Sequence, residues 1–95
     1  MPSEPKVAHI QVFFSGRVQG VGFRYQTLQI AKSFEASGWV QNLDDGQVLL
    51  EAEGNEDEIM AFKTEIENQL AHFIKESTFT LEQRAPQFTG FTIRR

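Results

Sequence analysis

Between Val7 and Phe34 the hydrophobic pattern changes its period, and it does so across a run of glycines. From Val7 to Ser15 the residues alternate. Ala8, Ile10, Val12 and Phe14 fall on one face; His9, Gln11 and Ser15 fall on the other with Val7 and Phe13. Successive side chains of an extended chain point to opposite faces, so this segment is a strand with one well-buried side. From Phe23 the apolar stripe becomes Phe23, Thr27, Ile30, Ala31 and Phe34, which is helical spacing. The connection, Gly16-Arg17-Val18-Gln19-Gly20-Val21-Gly22, must therefore carry a strand straight into a helix that packs back onto it.

The same reading continues to the end of the chain. Ser37-Gly38 is expected to stop the first helix, glycine being common just past a helix C-terminus. Trp39 to Leu43 and Gln47 to Glu53 are two further strands, joined through Asp44-Asp45-Gly46, a strong hairpin signal. Asn55 suits an N-cap, and Glu56 and Asp57 suit the positive end of a second helix whose apolar face is Ile59, Phe62, Ile66 and Leu70. That helix ends between Gln69 and Lys75. Ser77 to Gln83 is a fourth strand with Phe79 and Leu81 pointing inward, and Phe91-Thr92-Ile93 is a candidate fifth. The order β-α-β-β-α-β predicts an α+β, ferredoxin-like sandwich, with two helices on one face of an antiparallel sheet.

Ninety-five residues suit one domain, residues 7–95, preceded by a polar tail from Met1 to Lys6 without the apolar centre of a signal peptide. With no cysteine, disulfides and thiolate metal sites are excluded. No apolar run approaches the roughly 20 residues of a membrane span, so a cytoplasmic location is expected. The net charge of −4 argues against general nucleic-acid or membrane binding, which usually relies on a basic surface. Against that background, Arg17 and Arg24 form a local positive spot on either side of the glycines.

A glycine connection entering a helix N-terminus offers unpaired N–H groups and positive potential, and a guanidinium at its end suits a small anion such as phosphate. It is equally the form of a plain tight connection. It lacks the Lys-Ser/Thr of a P-loop and the spacing of a dinucleotide fingerprint. Asn42, beside the hairpin turn, is either a turn-former bonding its own backbone or an amide able to orient a water. Asp44 and Asp45 suit a solvated turn. His9 and His72 are isolated, expected as a partly exposed strand residue and a helix-end residue. No nucleophile or metal site is evident, and no cofactor is expected.

Taken together, Gly16-Arg17-Val18-Gln19-Gly20-Val21-Gly22-Phe23-Arg24 and Gly38-Trp39-Val40-Gln41-Asn42-Leu43-Asp44-Asp45-Gly46-Gln47-Val48 closely resemble the two signature segments of acylphosphatases. Gly90-Phe91-Thr92-Ile93 resembles that family's closing strand. The resemblance implies a ferredoxin-like fold and metal-independent hydrolysis of acyl phosphates to a carboxylate and inorganic phosphate. It implies that Arg24 binds the phosphate, that backbone N–H groups of Val18, Gln19, Gly20, Val21 and Gly22 cradle it, and that Asn42 holds the attacking water. Inorganic phosphate would be both product and competitive inhibitor, with a monomer as the expected state. Two departures stand out. Leu43 replaces a threonine common after the asparagine, and Asn68 to Glu76 lacks the family's Gly-Pro element. The competing expectation is a non-enzymatic ferredoxin-like module that binds phosphate, another small ligand or RNA.

Overall fold

The computed structural model describes residues 5–95. The first four residues of the polar tail lie outside them. Five strands and two helices follow one another as β1 (Val7–Gly16), α1 (Phe23–Ala31), β2 (Ser37–Asn42), β3 (Val48–Gly54), α2 (Glu56–Gln69), β4 (Ile74–Arg84) and β5 (Phe91–Arg94). The sheet order is β4-β1-β3-β2-β5. The first four strands pair antiparallel, as the ferredoxin-like plan requires. The fifth corrects the all-antiparallel expectation: β5 runs parallel to β2, with Gly38 opposite Phe91 and Val40 opposite Ile93. No helix among the described residues is long and apolar enough to cross a membrane.

The core forms where alternation meets the helical stripes. Ile10, Val12 and Phe14 of β1 are fully buried with Val48 and Leu50 of β3 and Val40 of β2. Phe23, Thr27, Ile30 and Ala31 close it from α1, and Ile59, Phe62 and Ile66 from α2. Phe62 is central among the aromatic contacts: its ring lies 5.6 Å from Phe34 and 5.4 Å, edge-on, from Phe91. Such tilted pairs are favourable because the ring edge of one meets the electron-rich face of the other.

Both helix ends differ from expectation or refine it. Helix α1 stops at Ala31, well short of Ser37-Gly38. Its last turn tightens, with Lys32, Ser33 and Phe34 N–H groups donating to the carbonyls three residues back. Phe34 still faces the core, so the apolar stripe outlasts the helix. Gly38 instead lies inside β2 at φ 151°, where an added Cβ would run into the backbone carbonyl of Glu51. Helix α2 is capped by the Asn55 side chain, which accepts from Glu58 N–H at 3.3 Å. Leu70 and a short turn through Phe73 then lead into β4, which begins at Ile74, three residues before Ser77.

One side-chain expectation holds in direction but not in coverage, and a second is overturned. Phe79 and Leu81 sit opposite Val12 and Ile10 in the sheet, hence on the helix-facing side. They are nevertheless 44% and 38% exposed. Strand β4 is an edge, and the helices cover the strands inside it. Phe79 is partly covered by the Lys63 ammonium, 4.4 Å from the ring centroid. His9, expected to be partly exposed, is buried because the chain after β4 folds back over the sheet's other face. There Phe88 stacks at 5.8 Å from His9, and Glu53 accepts hydrogen bonds from the Gln87 and Phe88 N–H groups, both at 2.6 Å. His9 Nε2 lies 3.0 Å from Glu51 Oε1.

Candidate active site

The glycine connection closes over the top of the sheet between β1 and α1. Gly20 and Gly22 adopt φ 75° and 79°, a left-handed conformation that side chains with a Cβ resist. Nothing lies within 4 Å of where a Cβ would stand at either position. Backbone conformation therefore demands these glycines, and crowding does not. Gly22 serves as the N-cap of α1 without any side-chain cap, and its carbonyl accepts the Gln26 N–H at 3.0 Å. Arg24, two residues on, is the second residue of the first turn.

The loop and the β2–β3 hairpin face each other across a hollow of about 200 Å³. Val18, Gly20 and Gly22 line it from the loop, Arg24 and Tyr25 from α1, Asn42 from the end of β2, and Ile93 and Arg95 from the chain at β5. Two of the five cradle residues are absent from the lining. Val21 is turned toward the core. Gln19 reaches across to the hairpin, where its Nε2 donates to the carbonyls of Leu43 at 2.7 Å and Gln47 at 2.9 Å. Arg17 is exposed and does not reach the hollow.

Arg24 is half-buried, and its Nη1 donates to the Arg94 carbonyl at 3.2 Å. No carboxylate among the described residues pairs with it, which leaves its charge free for an anion. The Asn42 Oδ1 is buried and has no hydrogen-bond partner in the protein. The turn is made by another residue: Asp45 Oδ1 accepts the Gln47 N–H at 3.0 Å, while Gly46 N–H donates to the Leu43 carbonyl at 3.2 Å. Asn42 is thus released from the turn-forming role that the sequence alone allowed. A buried polar atom without a partner is costly and calls for an explanation, which a ligand or water can supply.

Sequence reasoning missed Tyr25, Ile93 and Arg95. The last two reach the hollow only because β5 pairs with β2, and Phe91-Thr92-Ile93 carries no signal of which neighbour it takes. Tyr25 had one available clue, its place directly after Arg24 on the first turn of α1.

A family model described as "Acylphosphatase" matches residues 10–93. An acylphosphatase of Oceanobacillus iheyensis is 40% identical over 88 residues, covering 90% of this chain and 97% of that protein. One from Clostridium perfringens is 42% identical over 81 residues, covering 81% of this chain and 91% of that protein. The crystal structure of acylphosphatase from Bacillus subtilis superposes with a TM-score of 0.83 at 30% identity, covering 93% and 99% of the two chains. Fold, sequence and the facing loop and hairpin agree, and the chain belongs to the acylphosphatase family.

Proposed function

We propose that the chain performs its family's reaction, hydrolysis of the carboxyl–phosphate bond of an acyl phosphate, with Arg24 and the loop binding the phosphoryl group and Asn42 holding the water. The observation that carries this reading is the unpartnered, buried Asn42 Oδ1 on the same hollow as the unpaired Arg24 guanidinium. One face of the hollow attracts an anion, and the other offers an acceptor to a water O–H.

The chemistry asks little more of the protein. The departing group is a carboxylate, whose conjugate acid has a pKa near about 4, so it leaves without a general acid. Phosphoryl transfer passes through a loose transition state with negative charge spread over the equatorial oxygens, and catalysis is mainly positioning and electrostatic stabilisation of that charge. The Arg24 fork and the N–H groups of residues 18–22 supply the opposing positive charge. Asn42 aligns the water with the breaking P–O bond. The water's oxygen bonds to phosphorus as the P–O bond to the carboxylate breaks, and a phosphate oxygen takes the water's proton. No titratable side chain is needed for that transfer.

The domain is proposed to act alone, as a monomer without a metal or cofactor. None of the relatives above favours a non-catalytic module. Purified protein incubated with benzoyl phosphate in EDTA should destroy it, with competitive inhibition by inorganic phosphate. Binding of benzoyl phosphate without its hydrolysis would overturn the reading.

A further inference from the structure

A second, larger depression of about 400 Å³ opens beside the phosphate hollow. The two share Gly22 and Tyr25, so they are continuous at the start of α1. From that junction the groove runs along α1 past Gln26, Gln29 and Ile30, with Ser33 and Gln69 among its other walls. Asn42, which faces the water side of the hollow, takes no part in it.

We propose that this groove receives the acyl part of the substrate, and that it selects neutral acyl groups longer than acetyl. This rests on the acylphosphatase reading above and names the substrate class that reading leaves open. In-line attack puts the water and the departing carboxylate on opposite sides of phosphorus. With the water at Asn42 on β2, the leaving group exits toward the groove, whose walls come from α1, the turn after it and the end of α2. Its volume falls in the range of roughly 300–1,000 Å³ typical of small-molecule sites, more than a methyl group can fill.

The chemistry of the walls sets the selection. None of the lining residues carries a charge. Three side-chain amides and the Ser33 and Tyr25 hydroxyls can donate or accept hydrogen bonds, Ile30 gives an apolar floor, and the 61%-exposed Tyr25 stands at the junction with the hollow. On the Gln69 side a carboxylate stands behind the wall: Gln69 Nε2 donates to Glu65 Oε2 at 2.6 Å. An acyl chain ending in a carboxylate or a second phosphate would find no cation among the lining residues. An uncompensated anion drawn from water is disfavoured.

The test compares acetyl, butyryl and succinyl phosphates on the intact protein. Butyryl and succinyl chains have equal length and differ in the terminal carboxylate. The expected order of kcat/KM is butyryl above acetyl, and butyryl above succinyl by about tenfold. Gln29→Lys places a cation in the groove and should bring the butyryl-to-succinyl ratio to near one or below. Gln29→Trp fills the groove and should lower the butyryl-to-acetyl ratio about tenfold. Both variants preserve a residue type that helices accept, and all readouts are ratios within one protein preparation. If the wild type hydrolyses acetyl phosphate but both ratios stay within twofold in both variants, the groove is not the acyl site. If it hydrolyses none of the three, the acylphosphatase reading itself fails, and this inference with it.

Discussion

Replacing Gln19 by Met tests whether the two halves of the site are held at a set distance. The loop residues 18–22 with Arg24, proposed to bind phosphate, and Asn42, proposed to hold the water, belong to different segments, and the Gln19 amide spans them through two hydrogen bonds. Methionine keeps the length and volume but cannot donate. Both carbonyls retain a second partner, since Leu43 N–H still donates to Gln47 and Gly46 N–H to Leu43. The loss is therefore that of two neutral hydrogen bonds without newly orphaned acceptors, about 1 kcal/mol each. For a domain of this size, about 2 kcal/mol corresponds to a fall in Tm of roughly 8–16 °C. A displacement of about 1 Å at the reacting centre can cost around 100-fold. We expect kcat on benzoyl phosphate to fall between about 10- and 100-fold, while inhibition by inorganic phosphate, assigned in the proposed function to the loop and Arg24 alone, stays within about threefold. Thermal unfolding and steady-state kinetics on the same samples check both numbers. Lowered stability with unchanged kcat would refute the positioning role, and unchanged stability would refute the energetic value given to the bonds.

Arg24→Ala should lower kcat/KM by at least 10²–10³-fold, the usual cost of one preorganised donor, and Arg24→Lys should recover little because a point charge lacks the planar fork. Asn42→Ala should reduce kcat while inorganic phosphate, titrated as an inhibitor, binds nearly as before; abolished phosphate binding at unchanged kcat would reverse the assignment. Phe62→Ala removes a fully buried ring that contacts Phe34 and Phe91. It should cost about 3–5 kcal/mol, a large share of the roughly 5–15 kcal/mol expected for the domain. Chemical denaturation would show this as a midpoint shift.

What the sequence reveals divides along a physical line. Periodicity depends on which face of an element is buried, so the β1 alternation and both helical stripes are legible, and Asn55 caps α2 through a local hydrogen bond. Features set by distant segments are not legible. Whether Phe79 and Leu81 are covered depends on β4 being an edge, and whether His9 is buried depends on where residues 85–90 fold. The termination of α1 is subtler. Its stripe runs on to Phe34 because a tightened turn keeps that ring facing inward. At the site, residue identities 24 and 42 stand out in their motifs, and the structure brings both to one hollow. Gln19 has a local clue to the loop but none to the hairpin carbonyls it reaches.

The sheet order has a kinetic consequence. Apart from the β2–β3 hairpin, its neighbours are remote in sequence: Ile10 meets Leu81, Ala8 meets Gly54, and Gly38 meets Phe91. Chains built on such pairings must close long loops before contacts repay the lost entropy, so they fold slowly for their size, toward milliseconds to seconds. The hollow draws walls from α1, β2 and β5, and the Arg94 carbonyl that holds Arg24 belongs to the strand added at the sheet's margin. Enzymatic turnover during refolding therefore reports a different event from the pairing of β1 with β3: it returns only when the β5 margin docks beside β2.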